Sequence, residues 1–162
     1  MRARNELRTP LNAILGFGQL LELDDLGAEQ RQLRIEADAG ACTVLADRLR
    51  LRQVILDLLS NAVKFNRDGG SVHVACHAGN AGRIRMAVRD TGRGIAAEAL
   101  ARLFKPFERI ESAYDGIEGT GIGLAFSKIL VEAMGGESGV ESMPGEGSTF
   151  WVELPETAME AD

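Results

Sequence analysis

The sequence is poor in cysteine and in long hydrophobic runs, and each shortage excludes a class of protein. Cys42 and Cys76 are too few for a disulfide framework, and without a signal peptide they point to a reducing interior. The most apolar stretch, residues 10–23, is interrupted by polar residues and glycines. We therefore expect a cytoplasmic chain with no segment that spans a bilayer.

Positive charge is also scarce, since 18 Lys and Arg stand against 24 Asp and Glu, for a formal net charge of −6. Such a chain repels nucleic acid and anionic membranes as a whole, although it can still hold a local cationic site for one small anion. With 45% hydrophobic residues, the 162-residue chain can bury a core in one domain, with or without an appendage.

The spacing of apolar residues predicts a short helical hairpin followed by a larger α/β unit. Residues 5–23 and 28–37 are expected to form the two hairpin helices, and a third helix is expected from its cap, Asp47, to about Asn66. After this helix, apolar and polar residues alternate along a predicted strand, which predicts that His73 and His77 face solvent. The other expected elements are an extended piece at 42–46, strands at 72–76 and 84–88, helices at 96–104 and 123–134, a hairpin of strands 140–142 and 149–154, and a frayed tail from Glu156.

Two glycine-containing stretches carry residue types suited to a nucleotide. Asp90 ends a predicted strand, and its carboxylate can accept a hydrogen bond from an amino group such as that of adenine. Gly92 and Gly94 let the backbone turn close to a flat ring. Residues 119–124 open a helix with alternate glycines, whose N–H groups favour phosphate. Taken singly, an ordinary turn and a flexible loop remain alternative interpretations of these stretches.

A third stretch is a polar row on the long helix. Asp57, Asn61 and Lys64 lie at i, i+4 and i+7, hence on one stripe. A carboxylate, an amide oxygen and an ammonium in one row suit a Mg²⁺ ion held between protein and phosphate oxygens. Taken alone, the row is better interpreted as a solvated helix face.

Together these stretches resemble the ATP-binding catalytic domain of sensor histidine kinases, within the superfamily that includes gyrase, the heat-shock chaperone ATPases and MutL. The resemblance covers about residues 43–155 and implies a two-layer α+β sandwich with a mixed sheet and helices on one face, after the short hairpin. Five motifs in the family's order carry it: residues 57–65 (DLLSNAVKF), 90–94 (DTGRG), 104–107 (FKPF), 119–124 (GTGIGL) and 145–150 (GEGSTF).

The resemblance implies a role for each motif. Asp90 would bind the adenine amine, Asn61 would hold Mg²⁺ and Lys64 would meet the phosphates. Residues 104–118 would form a mobile lid, in which Arg109 neutralises charge on the γ-phosphate or is simply a surface arginine. Asp57 stands where some relatives of the superfamily carry an acidic residue that activates water, which leaves weak ATP hydrolysis as an alternative. The implied nucleotide-binding set is completed by Phe65, Gly92, Gly94, Ile95, Phe107, Gly119, Thr120, Gly121, Ile122, Gly123, Leu124 and Thr149.

Residues 4–11 resemble the phosphoacceptor segment of the same family, except that Asn5 stands at the acceptor histidine. An amide nitrogen is delocalised into its carbonyl and is a poor nucleophile, so we predict no self-phosphorylation. The resemblance leaves Glu6 as the proton-accepting carboxylate. It leaves Thr9 as the residue that orients water when a partner receiver domain is dephosphorylated.

The separation of Asn5 and Asn61 is shorter than the family uses, and residues 33–37 resemble the end of its second hairpin helix. We therefore expect a shortened dimerisation hairpin (1–40), an ATP-binding domain (41–155) and an acidic tail (156–162). The predicted function is histidine-kinase-type signalling with Mg²⁺-ATP, which passes phosphate to a histidine and then to a response regulator. The alternatives are a non-catalytic nucleotide sensor and a response-regulator phosphatase. A second copy is an expected partner through the hairpin.

Overall fold

The computed structural model describes residues 6–10, 32–38, 43–100, 102–103 and 123–156. In chain order its elements are β1 (Glu6–Pro10), β2 (Arg34–Asp38), β3 (Thr43–Asp47), α1 (Arg48–Lys64), β4 (Ser71–Ala78), β5 (Arg83–Asp90), α2 (Ala97–Leu100), α3 (Gly123–Ala133), β6 (Glu137–Met143) and β7 (Gly147–Pro155). Five strands form one sheet in the order β2-β4-β5-β7-β6, and β1 pairs with β3 in a second sheet. The five-stranded sheet is mixed, as predicted, because β2 runs parallel to β4 while the other pairs are antiparallel.

Helix α1 begins at a side-chain cap and ends before a glycine turn. The Asp47 carboxylate accepts hydrogen bonds from the backbone N–H groups of Leu49 and Arg50, at 3.0 and 3.1 Å. These bonds satisfy two donors that have no partner inside the helix. Gly69, at φ +74°, then turns the chain into β4. The predicted helix and its cap are confirmed.

The core lies between the helices and one face of the five-stranded sheet. Alternate residues of β4, β5 and β7 are buried there, and they pack with α1 and α3 into one cluster. The register places Val88 between Val74 of β4 and Phe150 of β7. His73 and His77 are exposed, as the alternation predicts. This packing fixes α1 over the sheet and so determines which residues of α1 meet the ends of the strands.

The helical predictions for the amino-terminal part are wrong where the structure describes it. Glu6–Pro10 is a strand antiparallel to β3, not part of a helix over residues 5–23. Arg34–Asp38 is a strand parallel to β4, not the end of a second hairpin helix. Pairing with a neighbouring strand gives the backbone N–H and C=O groups of these segments hydrogen-bond partners. One example is the Arg34 N–H, which donates to the Gly70 carbonyl at 3.0 Å. The rest of the predicted hairpin, residues 11–31, lies outside the described residues.

The limits of the larger unit also differ from those expected. Strand β2 places residues 34–38 in the five-stranded sheet, before the expected start at residue 41. At the other end, the Glu156 N–H donates to the Gly82 carbonyl at 2.9 Å, and Glu156 forms a bridge with Val44. Glu156 therefore belongs to the fold, whereas residues 157–162 of the predicted tail lie outside the described residues.

Two findings bear on the compartment expected from the sequence. Cys76 packs against the core and is disulfide-bonded, and the other cysteine, Cys42, lies outside the described residues. Cysteine usage therefore gives no support for a reducing interior. Across the described ranges, the structure has no helix with the length and apolar character needed to cross a bilayer.

Candidate nucleotide-binding site

A cleft of about 320 Å³, counting space open to solvent, lies between α1, the segment after β5, the start of α3 and β7. Four of the five predicted motifs contribute residues to its lining, although they are far apart in the sequence. The lining also includes three residues that the sequence did not single out, Leu103, Ser148 and Phe150. The predicted residues in the lining are Asn61, Phe65, Asp90, Gly94, Ile95 and Leu124.

Asp90 is the polar centre of this cleft. It is the last residue of β5 and is only 4% exposed. Its Oδ1 accepts hydrogen bonds from the backbone N–H groups of Gly92, at 2.8 Å, and Ser148, at 3.3 Å. Burial raises the pKa of the Asp90 carboxyl, and these two N–H donors offset part of that rise. Both bonds go to one oxygen, so among the described residues Oδ2 has no donor.

The glycines after Asp90 are required by close approaches of the backbone. A Cβ at Gly92 would overlap the carbonyl oxygen of Phe65, at the end of α1. Gly94 has φ +73°, and a Cβ there would overlap the carbonyl oxygen of Met143. The two glycines therefore let the loop pass between α1 and the β6–β7 turn, which brings Asp90 into the cleft.

The β6–β7 hairpin supports this loop from the other side. The Gly145 N–H donates to the Arg93 carbonyl at 2.6 Å, and the Ile95 N–H donates to the Ser142 hydroxyl at 2.7 Å. The motif at 145–150 thus contributes support for the loop together with the cleft residues Ser148 and Phe150. Thr149, the predicted member, pairs with Arg89 of β5 and is absent from the lining, because neighbouring residues of a strand face opposite sides.

The polar row on α1 divides between the cleft and a helix contact. Asn61 lines the cleft, whereas Asp57, one turn earlier, does not. Asp57 accepts hydrogen bonds from the Ser127 hydroxyl of α3 at 2.8 Å and from the Gln53 amide at 3.2 Å. Burial raises the pKa of the Asp57 carboxyl, partly offset by these bonds and by the charge of Lys64. Lys64 is the last residue of α1 and is also absent from the lining.

A buried network that the sequence analysis missed fixes the end of α1 to the loop after Asp90. Asn66 is 4% exposed and donates from its side-chain amide to the Ser71 carbonyl at 2.9 Å. The Thr91 hydroxyl donates to the Asn66 side-chain oxygen at 3.2 Å and accepts from the Ser71 N–H at 2.8 Å. An amide residue at the predicted helix end is the only sequence signal for this network.

The remaining predicted residues lie elsewhere or outside the described part. Glu6 and Thr9 are on β1, opposite Asp47 and Val44 of β3. Gly123 begins α3. The other predictions lie outside the described residues. They concern the lid at 104–118 and the residues Asn5, Phe107, Arg109, Gly119, Thr120, Gly121 and Ile122.

The chain is similar to known proteins over most of its length. Residues 46–158 match the family described as histidine kinase-, DNA gyrase B-, and HSP90-like ATPase. The chain belongs to this ATPase family. Sensor histidine kinase GacS of Pseudomonas protegens is 40% identical to it, over 98% of the chain and 24% of GacS. The alignment of the two sequences has 226 positions, whereas the chain has 162 residues. GacS therefore has residues inside the aligned region that this chain lacks.

Solved histidine kinases share the fold of this family member. Full-length ShkA, in complex with AMPPNP, superposes with a TM-score of 0.76 at 34% identity, over 99% of this chain and 33% of ShkA. Histidine kinase ThkA, in complex with response regulator protein TrrA, superposes with a TM-score of 0.74 at 21% identity. The match covers 94% of this chain and 42% of the ThkA chain. The chain thus spans 24% to 42% of the lengths of GacS, ShkA and the ThkA chain. The resemblance and the predicted α/β fold are confirmed.

Proposed function

We propose that the cleft binds ATP, with the adenine amino group donating to Asp90. The observation that carries this proposal is the asymmetry of the carboxylate, whose Oδ1 holds two backbone donors while Oδ2 holds none among the described residues. An ionised oxygen between apolar walls is a strong acceptor for one amino group. Guanine carries a carbonyl oxygen in place of that amino group, and the carboxylate would repel it.

Asn61 is proposed to hold Mg²⁺, and Lys64 to meet the phosphates. Asn61 lines the cleft, and its side chain has no hydrogen bond to another described residue, so its amide oxygen is available as a ligand. No group of three or more His, Cys, Asp or Glu within the described ranges could hold a metal. One protein oxygen suits Mg²⁺, which keeps several waters and shares phosphate oxygens. When bound, Mg²⁺ supplies charge neutralisation for the phosphates, to which the glycines at 119–124 would donate N–H groups.

The proposed reaction is that of the histidine kinases, transfer of the γ-phosphoryl group to a histidine and then to a response regulator. ShkA in complex with AMPPNP and ThkA in complex with TrrA support a nucleotide and a receiver domain as ligand and partner. Arg109, in the proposed lid, would neutralise the transferred group. Because Asn5 replaces the acceptor histidine, this chain is proposed not to phosphorylate itself. A cytoplasmic location and pairing with a second copy complete this proposal.

A nucleotide-sensing protein without kinase activity is the second candidate, and β1 favours it. The predicted roles of Glu6 and Thr9 depend on the spacing of a helix, whereas the structure has a strand at Glu6–Pro10. The same observation argues against the receiver-phosphatase role of Thr9. Binding of ATP to the cleft is common to the kinase and to the sensor.

Isothermal titration calorimetry with ATP and GTP, with and without Mg²⁺, tests the cleft. We expect ATP to bind more tightly when Mg²⁺ is present, and GTP to show no binding. Equal affinities for the two nucleotides would overturn the role of Asp90, and no binding of either would overturn the proposed function.

Radiolabelled ATP tests the acceptor position. We expect no acid-labile label on the unmodified chain, and label on Asn5→His if the chain is a kinase. Label on the unmodified chain would contradict the role given to Asn5, and no label on either protein would favour the nucleotide sensor.

A further inference from the structure

We infer that Ser142 of β6 is a positioning residue that holds together the two walls of the base-binding end of the cleft. The inference rests on the proposed binding of ATP. The Ser142 Oγ lies 2.7 Å from the Ile95 backbone nitrogen, 3.0 Å from the Gly147 carbonyl oxygen and 2.7 Å from the Ser148 hydroxyl oxygen. Ile95 and Ser148 line the cleft, whereas Ser142 is not part of the lining.

The three contacts use the whole hydrogen-bonding capacity of one hydroxyl group. A serine hydroxyl has one donor and two acceptor lone pairs. All three contacts are satisfied when Ser142 donates to the Gly147 carbonyl and accepts from the Ile95 N–H and the Ser148 O–H. No other side chain can replace this arrangement unless it carries a hydroxyl at the same place.

The hydrogen bonds of Ser142 connect two segments that lie on either side of Asp90. On one side, Ile95 ends the loop that begins at Asp90. On the other side, Ser148 donates its backbone N–H to the Asp90 Oδ1 at 3.3 Å. Loss of the Ser142 hydroxyl would leave the Ile95 N–H without its partner and free the Ser148 side chain to rotate. The Gly145–Arg93 hydrogen bond at 2.6 Å still ties the hairpin to the loop, so the fold should persist while the cleft loosens.

Ser138 provides a matched control on the same strand. It lies opposite Val152 in the register, and Ser142 lies opposite Ser148, so both serines are on the face of β6 that meets the core. The Ser138 hydroxyl is buried and has no hydrogen-bond partner within the described part of the chain. Its removal should therefore leave the cleft unchanged.

The experiment compares Ser142→Val with Ser142→Thr, which have the same shape and differ in one hydroxyl group. Calorimetry well below the melting temperature should show ATP binding about 10-fold weaker for Ser142→Val, which lacks the hydroxyl group that makes the three hydrogen bonds. ADP should lose affinity by the same factor, with or without Mg²⁺, because the change is at the base and not at the phosphates. Ser142→Thr and Ser138→Ala should stay within about twofold of the unmodified chain.

Amide hydrogen exchange gives a second measurement that does not depend on nucleotide. The Ile95 amide should exchange faster in Ser142→Val than in Ser142→Thr, and Ser142→Ala replaces the valine variant if that variant does not fold. Equal nucleotide affinity and equal Ile95 exchange in the valine and threonine variants would overturn the positioning role. If the unmodified chain binds no ATP, the proposed function fails, and Ile95 exchange still reports whether Ser142 holds the loop.

Discussion

Asp90→Asn separates nucleotide binding from stability, because the two properties should change in opposite directions. The carboxylate is 4% exposed, and burial raises its pKa against the opposing effect of the Gly92 and Ser148 N–H groups. An asparagine oxygen can keep both backbone hydrogen bonds without burying a charge. The variant should therefore be at least as stable as the unmodified chain at neutral pH.

ATP affinity should fall in the same variant, because an amide NH₂ replaces Oδ2 and faces the adenine amino group, donor against donor. Loss of one hydrogen bond to a charged acceptor costs about 1.5–3 kcal/mol, or a Kd roughly 10- to 150-fold weaker. Calorimetry and thermal melts measure the two effects. Glu137→Gln, which changes an exposed carboxylate on β6, is the matched control. Unchanged ATP affinity, or a loss of affinity with a fall in Tm, would refute the reasoning.

Three other perturbations test the metal site, the helix cap and the buried charge. Asn61→Ala should weaken ATP binding in Mg²⁺ but not in EDTA, and calorimetry that shows an equal loss in both would argue against a metal ligand. Asp47→Ala removes two hydrogen bonds at the start of α1 and should lower the free energy of unfolding by about 1 kcal/mol, which urea titration checks. The stability advantage of Asp90→Asn should shrink as pH falls from neutral through the raised pKa, because protonation removes the charge that the native protein buries. Paired melts across this range would contradict the assignment if the advantage grew.

The sequence alone was sufficient where the periodicity of a segment decides its structure. The apolar spacing of α1 and the alternation in β4 and β5 predicted which sides are buried, and Asp47 marked the start of α1. The ordered motifs indicated the ATPase family, which the match over residues 46–158 confirms. These features are local or depend on sequence order, so they need no knowledge of contacts between distant segments.

The amino-terminal strands show where local spacing is insufficient. A five-residue segment such as β2 makes its backbone hydrogen bonds with another strand, so its structure depends on what lies beside it. Spacing in residues 5–10 was compatible with a helix, yet pairing with β3 makes Glu6–Pro10 a strand. Such pairing is a long-range contact that the segment's own residues do not encode.

Only the tertiary structure decided how the cleft is assembled. The Asp90 Oδ1 accepts one hydrogen bond from a near neighbour in the sequence, the Gly92 N–H, and a second from the Ser148 N–H, 58 residues away, which only the fold brings to it. The motif at 145–150 pointed to Thr149, but strand alternation places Ser148 and Phe150 in the cleft instead. Side chains that meet across the fold owe their positions to the packing of α1, the loop after β5 and the β6–β7 hairpin. Residue types predicted the chemistry of the site, and packing determined its geometry.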